Sequence, residues 1–260
     1  MFHIWDWIIK FFHNIILVCA LNLLINLHFE RKLLRNLLLK FPKITGPLRG
    51  LYNFYFGENE IPVIKKILKQ NKNNYIFFDI GANYGIYTFL FSKKSQHSFI
   101  FEPVNECLDY IKLGYRFKNI TFINKAASNE HKLINLNIPK VNSRKVFGKS
   151  SIDNEFEEFE IRAIDCIPID SLFSQVKTYK PNKLFIKIDV EGHENKVIDG
   201  AINTLSNFKS LLLIEVEKRH NKDYLYIFNK LNNIKFQTYY LENKALKKLL
   251  NEEDIKKAMK

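Results

Sequence analysis

A run of apolar residues that changes into a helical pattern, at residues 75–94, limits the fold of this chain more than any other feature. The run YIFFDI has the length and aromatic content of a buried strand, and IYTFLFSKK repeats its apolar residues at helical spacing. The turn GANYG lies between them. Gly81 and Gly85 allow the backbone to turn sharply and a ligand to approach closely. The segment therefore predicts a strand that delivers the carboxylate of Asp79 to a ligand crevice at the edge of a sheet.

Short apolar runs and helical patterns alternate along most of the remaining chain, which predicts an α/β fold with a mostly parallel sheet and helices on both faces. Between residues 133 and 164 the runs LINLNI and FEIRAI break this alternation, so we expect extra strands or a hairpin inserted before the fourth parallel strand. The predicted strands are 75–80, 98–102, 120–124, 183–189, 210–216 and 234–240, and the predicted helices are 61–70, 85–94, 104–117, 193–205 and 221–232.

The N-terminal segment IIKFFHNIILVCALNLLINL, residues 8–27, is as long as a bilayer-spanning helix. Polar residues interrupt it and leave one apolar arc, which favours a hydrophobic helix at a membrane surface or against the domain over a spanning helix. Six basic residues follow between Arg31 and Arg49, and they would hold the rest of the chain on the inner face of a membrane. Without an A-x-A site or an early basic residue, a cleaved signal peptide is not expected, and the predicted location is the cytoplasm.

Pro42, Gly46, Pro47 and Gly50 interrupt the pattern after this segment, so we place a boundary there. The predicted parts are a hydrophobic and basic helical segment, residues 1–50, and one α/β domain, residues 51–260. A chain of 260 residues with 47% hydrophobic residues is long enough for one good core, which we place in the second part.

Charge and cysteine content exclude some classes of function. The net charge of +13 suits a solvated surface, and no zinc-finger spacing, helix-turn-helix pattern or aromatic–basic stripe predicts nucleic acid as a partner. Three widely spaced cysteines (Cys19, Cys107 and Cys166) form neither a disulfide framework nor a zinc motif, which indicates a reducing compartment.

The glycine turn indicates which nucleoside ligand the crevice takes. Its glycines are spaced G-x-x-x-G, unlike the G-x-G-x-x-G of dinucleotide sites, and Glu102 ends the second strand where an acid should accept ribose hydroxyls. A carboxylate before the turn repels a pyrophosphate and suits a cationic ligand without phosphate. S-adenosylmethionine, with its sulfonium, ammonium and ribose groups, fits better than NAD.

Four stretches carry a resemblance to a known family: FFDIGANYGIYT, FIFEPVNECLDYI, NKAASNE, and LFIKIDVEGHENKVIDGAINTL followed by LLLIEVE. Over residues 75–240 the chain resembles the FkbM family of S-adenosylmethionine-dependent methyltransferases. The resemblance implies a class I Rossmann-like methyltransferase fold and methyl transfer to hydroxyl groups of sugars or polyketide-type molecules. It also implies a role for each matching position: Asp79, Gly81, Asn83 and Gly85 in the cofactor loop, and Glu102 as the ribose-binding acid. The N-terminal segment lies outside the resemblance, and the short tail leaves room for the last strand only as a hairpin near residues 242–246.

A second group of charges lies in KIDVEGHE, residues 187–194. Alternation along the strand directs Lys187, Asp189 and Glu191 to one face, where three charges are costly unless they reach a site or pair with one another. At the end of the strand they should line the same crevice as Asp79. Gly192 breaks the strand, and His193 and Glu194 open the next helix.

Methyl transfer to an alcohol needs in-line placement and a base for the hydroxyl proton. His193 is the first candidate, because imidazole titrates near working pH, although a histidine at a helix start is equally often a capping or packing residue. Asp189 or Glu191 are alternatives, and Lys187 belongs to the same predicted catalytic set. A divalent ion held by Asp189, Glu191 and Glu215 is a third hypothesis, but a metal is not expected.

The sequence thus predicts an S-adenosylmethionine-dependent O-methyltransferase with a hydroxyl of a sugar, a glycan or a related small molecule as acceptor. The alternatives are a lipid-linked or polyketide-type acceptor, and a cofactor-binding scaffold without catalysis. An NAD-dependent oxidoreductase is disfavoured by the glycine spacing. Neither the exact acceptor nor the oligomeric state is predicted.

Overall fold

The computed structural model describes residues 41–43, 45–47, 59–69, 74–141, 144–145, 147, 150–152, 158–242 and 245–259. The predicted N-terminal helix at residues 8–27 lies outside these ranges, and so does most of the predicted boundary near residue 50. Both stay predictions. Within the described ranges, every helix is too short or too polar to cross a membrane.

From residue 60 onward the chain forms the helices and strands that follow. In chain order they are α1 (Glu60–Lys69), β1 (Tyr75–Ile80), α2 (Ile86–Phe91), β2 (His97–Phe101), α3 (Asn105–Gly114), β3 (Ile120–Ile123), β4 (Ala126–Ala127), β5 (Lys132–Val141), β6 (Arg144–Lys145), β7 (Phe159–Ile167), α4 (Phe173–Thr178), β8 (Lys183–Ile188), α5 (Glu194–Asp199), α6 (Ile202–Asn207), β9 (Ser210–Ile214), α7 (Tyr224–Asn233), β10 (Tyr239–Glu242), β11 (Ala245–Lys248) and α8 (Glu252–Ala258).

Five parallel strands form the central sheet in the order β3-β2-β1-β8-β9. The order reverses between β1 and β8, where Asp79 pairs with Lys187. In open α/β sheets, ligands bind beyond the carboxyl ends of the strands at such a reversal. The predicted mostly parallel α/β architecture is therefore confirmed, and it places the charged ends of β1 and β8 side by side.

Both faces of the sheet are covered. Ile76, Phe78 and Ile80 of β1 face a core completed by helices α4 to α7, and Tyr75 and Phe77 face a second core completed by α1 to α3. Strands buried on both faces are apolar at most positions, which is why they appear in the sequence as nearly continuous runs.

The segment that breaks the alternation forms an inserted sheet. Strands β5 and β7 pair antiparallel, as predicted, and the two-residue strands β4 and β6 extend them. Leu136 and Ile138 pack with Val104 and Cys107 at the start of α3. The insertion therefore lies beside the end of β2, next to the crevice.

Two predicted elements differ from the structure. The strand expected at 234–240 is wrong: the chain leaves α7 through a turn with Lys235 at φ 66°, and only β10 follows, paired with β11 in the short hairpin that was expected. The helix expected at 193–205 is divided between α5 and α6. At the division a Cβ on Gly200 would lie 1.9 Å from the carbonyl oxygen of Ser128, so the backbone of another segment occupies that space.

Candidate active site

The glycine turn after β1 is built by close packing of the backbone. Gly81 and Gly85 both have φ 73°, and Asn83 has φ 50°, a region that glycine adopts without strain. A Cβ on Gly81 would lie 1.9 Å from the carbonyl oxygen of Asp189, and one on Gly85 would lie 2.8 Å from the ring of Tyr115. Protein atoms thus fill the space that a side chain would need at both positions. The predicted approach of a ligand to this turn stays a prediction.

Asp79 and Lys187 form a buried charged pair behind this turn. Asp79 is 0% exposed, and its Oδ2 accepts a hydrogen bond of 2.6 Å from the hydroxyl of Thr88. Nζ of Lys187 lies 3.9 Å from Oδ1 of Asp79. Burial raises the pKa of Asp79, against the attraction of Lys187. Asp79 lines neither of the two cavities described below, so its predicted cofactor contact stays a prediction. The structure gives it a part in holding the turn.

Lys187 also connects the turn to the end of β8. Its ammonium donates hydrogen bonds of 3.0 Å to the carbonyl oxygen of Gly81 and of 3.0 Å to Oδ2 of Asp189. The predicted grouping of Lys187 with Asp189 on one face is confirmed. Lys187 is 5% exposed, so it fixes the position of Asp189 rather than presenting a charge to solvent.

Glu102 lies where the sequence places the ribose-binding acid, just after β2. Its two carboxylate oxygens accept backbone N–H bonds from Asn83 (2.6 Å) and Val104 (2.8 Å). Burial raises the pKa of Glu102 to about 7, although both hydrogen bonds and Lys187 oppose the rise. These bonds join the glycine turn to the start of α3 through one carboxylate.

A cleft of about 620 Å³, counting its open mouth, lies in front of Glu102; we call it the Glu102 cleft. None of its described lining residues is a lysine or an arginine. The inserted sheet and the loop after it supply part of the wall, a contribution that sequence reasoning missed although the insertion itself was visible. The polar lining is Gly81, Asn83, Glu102, Ser150, Asp189 and Glu191, and the apolar lining is Phe101, Pro103, Val104, Ala126, Ala127, Leu136, Phe147, Ile152 and Val190.

A second, smaller cavity of about 190 Å³ adjoins the first; we call it the Glu215 cavity. Asp189 and Glu191 line both spaces, so the two are neighbours at the end of β8. The prediction that Asp189, Glu191 and Glu215 approach one another is correct to the extent that all three line this cavity. Its full lining is Asp189, Glu191, Gly192, Glu194, Glu215, Glu217 and His220.

The three predicted ion ligands are nevertheless not the most compact group. Among the described residues, the set whose ligand atoms all lie within 4.8 Å of one another is Glu191, Glu217 and His220. Asp189 and Glu215 lie outside that set. The hypothesis of an ion held by Asp189, Glu191 and Glu215 stays untested.

Like charges and burial perturb the carboxylates of the Glu215 cavity. Burial and the nearby charge of Asp189 together raise the pKa of Glu215 to about 7, although Lys187 opposes the rise. Burial and Asp189 also raise the pKa of Glu191, while His220 lowers it. Nδ1 of His220 lies 2.7 Å from Oε2 of Glu191. Perturbed groups gathered in a crevice are typical of functional sites.

His193 does not join this group. Its ring is 4% exposed, its Nε2 lies 3.0 Å from the hydroxyl of Ser128, and it lines neither described cavity. The prediction of His193 as a base in the crevice is therefore not supported, and the packing alternative is favoured. Glu194 is also buried, and its carboxylate accepts bonds from the N–H of Gly192 and the side chain of Asn221, which holds the turn after β8 in place.

Sequence reasoning also missed His220. It lies three residues after the LLLIEVE strand pattern, in the loop that follows β9. A histidine just beyond the carboxyl end of a strand of the parallel sheet was the available signal.

Comparison with known proteins identifies the family of this chain. The sequence model of the family described as methyltransferase FkbM domain matches residues 79–241. None of the curated proteins matches the chain. A solved structure that is similar is the methyltransferase FkbM from Methylobacillus flagellatus KT, with 19% sequence identity and a TM-score of 0.43, covering 68% of this chain. This chain spans 42% of the length of that one. On the family match, the chain belongs to the FkbM family of methyltransferase domains.

Proposed function

We propose that this protein is an S-adenosylmethionine-dependent O-methyltransferase acting on a hydroxyl of a sugar, a glycan or a related small molecule. The observation that carries the proposal is the Glu102 cleft at the reversal point of the sheet, which combines an apolar wall with carboxylates. Carboxylates attract a sulfonium or an ammonium group and repel a pyrophosphate. A nucleoside with a cationic tail and no phosphate therefore suits this surface.

The residues of the cleft fit that cofactor. Each oxygen of Glu102 has a lone pair beyond the one used by Asn83 or Val104, and these would accept hydrogen bonds from ribose hydroxyls. The apolar wall that includes Val104 and Phe147 would hold the adenine ring, and Asp189 would balance positive charge. When bound, S-adenosylmethionine supplies an electrophilic methyl group on sulfur.

The Glu215 cavity is the proposed position of the acceptor, because it shares Asp189 and Glu191 with the cofactor cleft. Carboxylates accept hydrogen bonds from the hydroxyls of a polyol, and they repel an acceptor that carries its own carboxylate or phosphate at the reacting end. This favours a neutral sugar hydroxyl. A lipid-linked or polyketide-type hydroxyl is the alternative acceptor.

A cofactor-binding scaffold without catalysis is the alternative from another class. Gathering five carboxylates and an imidazole around one small cavity costs desolvation and repulsion, which a scaffold has no reason to retain. The carboxylates and the imidazole of the Glu215 cavity therefore favour an enzyme over a scaffold.

Two measurements test the proposal. Calorimetric titration should show binding of S-adenosylmethionine and S-adenosylhomocysteine and none of NAD. Labelled methyl groups should then pass to methyl glycosides, or to glycans from cells that lack the gene. Binding of NAD instead would overturn the cofactor, and binding of S-adenosylmethionine without transfer to any hydroxyl would leave the scaffold as the function.

A further inference from the structure

His220 and Glu191 form a carboxylate–imidazole pair inside the Glu215 cavity, and the function proposed above does not yet use it. The two residues come from different loops: Glu191 follows β8, and His220 follows β9. Nδ1 of His220 is buried and lies 2.7 Å from Oε2 of Glu191, an ion-pair distance without the alignment of a hydrogen bond. The pair thus brings together the ends of two neighbouring parallel strands.

The backbone on each side of the pair is held in place. The hydroxyl of Ser151 donates a bond of 2.7 Å to the carbonyl oxygen of Glu191, whose φ is 52°. The N–H of His220 donates to the carbonyl oxygen of Glu217 at 3.0 Å, and the side chain of the next residue, Asn221, donates to Glu194 at 2.9 Å. Both side chains therefore start from fixed positions.

The two ring nitrogens of His220 have different surroundings. Nδ1 faces Glu191, whereas Nε2 makes no hydrogen bond to any residue in the part of the chain that the structure describes, and the side chain is 18% exposed. A carboxylate on one nitrogen favours the tautomer that carries its proton there, which leaves a lone pair on the other. Nε2 is consequently the nitrogen that can receive a proton from a molecule in the cavity.

We propose that His220 is the general base of the methyl transfer and that Glu191 is its positioning residue; this inference rests on the function proposed above. The acceptor hydroxyl loses its proton to Nε2 as its oxygen forms the new bond to the methyl carbon. The electron pair of the broken carbon–sulfur bond stays on sulfur, so the positive charge of the sulfonium is replaced by that of the imidazolium. The imidazolium then returns its proton to water.

The charges around His220 suit this role. Glu191 and Glu217 face its Nδ1, at 2.7 and 3.7 Å, and Asp189, Glu194 and Glu215 line the same cavity. The nearby cations are engaged elsewhere: Arg219 pairs with Glu217, and Lys187 pairs with Asp189. An imidazolium formed during the reaction would therefore face carboxylates rather than other cations.

The pairing is tested without cofactor by ¹⁵N NMR of the histidine side chains, with the His220 signal assigned by its loss in His220→Gln. Wild-type protein should show the tautomer protonated at Nδ1. Glu191→Gln should shift the signal toward a mixture of tautomers, and Glu191→Asp should keep more of the wild-type form. A wild-type signal from the opposite tautomer would overturn the pairing.

Catalysis is tested by labelled methyl transfer from S-adenosylmethionine to pooled methyl glycosides. His220→Gln should lower kcat by about 10²–10⁴, with unchanged cofactor affinity, and it should abolish the rise of rate with pH. Glu191→Gln should lower kcat less, with partial rescue by Glu191→Asp. His131→Gln, at an exposed histidine before β5, is the matched control and should match wild type.

Each other outcome of that assay counts against the proposal. Full activity of His220→Gln would overturn it while the methyltransferase function stands. Loss of activity on chelation, with recovery on adding Mg²⁺ or Mn²⁺, would make His220 an ion ligand instead of a base. If wild-type protein binds the cofactor but methylates no glycoside, the sugar-hydroxyl function fails and this proposal fails with it.

Discussion

The carbonyl oxygen of Asp189 lies 1.9 Å from the place that a Cβ on Gly81 would occupy. The turn after β1 and the end of β8 are thus in direct backbone contact, and Lys187 ties them together from the side. No side chain fits between them.

Gly81→Ala should therefore destabilise the protein by at least about 2 kcal/mol, because the left-handed backbone alone costs alanine about 1–2 kcal/mol and the clash adds to it. Chemical denaturation measures the change. Gly46→Ala is the comparison, because its added methyl would also crowd a neighbour, the ring of Tyr115, but its backbone is not left-handed. Wild-type stability of Gly81→Ala would contradict the close packing.

Glu102→Ala should weaken S-adenosylmethionine binding by roughly tenfold to a hundredfold, the effect of one or two lost charge-assisted hydrogen bonds. Calorimetry measures the affinity, and circular dichroism checks that the fold is intact. Glu106→Ala, a half-exposed acid on α3 that pairs with Arg162 outside the cleft, should bind the cofactor normally. Unchanged affinity in folded Glu102→Ala would remove the cofactor from this cleft.

Glu215→Gln should make the protein more stable at neutral pH while lowering its activity. The pKa of Glu215 is about 7 in the folded protein and 4.5 ordinarily, so the folded state binds this proton more tightly than the unfolded state. The stability gained from this tighter proton binding is fully present below about pH 4.5 and is lost as pH rises toward 7. The free energy of unfolding, measured by denaturation at several pH values in this range, should fall less steeply with pH for Glu215→Gln than for wild type. Glu158→Gln, at an exposed position, should follow wild type. Parallel curves for Glu215→Gln and wild type would show that Glu215 is not perturbed.

His193→Ala should reduce stability by about 1–3 kcal/mol, because it removes a buried ring and leaves the hydroxyl of Ser128 without this contact. The turnover of the folded fraction should stay near the wild-type value. Ser128→Ala should reproduce part of the stability loss. A fall in kcat of a hundredfold or more at full stability would restore His193 as the base.

The protein should co-sediment with anionic lipid vesicles, because residues 8–27 should bind to the vesicle surface. Replacing Phe12 and Ile16 on the apolar arc by serine should release it, whereas His13→Ser, off that arc, should not. Sedimentation should weaken with salt, because six basic residues follow the segment. If neither vesicles nor salt alters sedimentation, the segment covers the domain instead, and the serine variants should then aggregate.

The strands were predictable where burial on both faces dictates their composition. β1 and β8 are apolar at nearly every position, so their sequence carries the signal of the sheet. The segment at 234–240 has comparable β-propensity, but Ile234 and Phe236 pack against the core around α7 instead of joining the sheet. Propensity was overridden there by tertiary packing.

The residues of the site were predictable only where one strand places them. Lys187 and Asp189 share a face because alternation requires it. The direction of the His193 ring depends on Ser128, and the pairing of Glu191 depends on His220 in a loop beyond the next strand. Contacts between distant segments leave no local pattern, so the sequence could indicate the end of β8 but not the contact of Glu191 with His220.

The pairing of β1 with β8 has a consequence for how the chain folds during synthesis. Tyr75 pairs with Lys183, so β1 leaves the ribosome long before its partner on that side is made. Until then one edge of the most buried strand is open, and exposed apolar edges recruit other chains. Nascent chains stalled before residue 183 should therefore depend on chaperones, and release from that dependence should coincide with the emergence of β8.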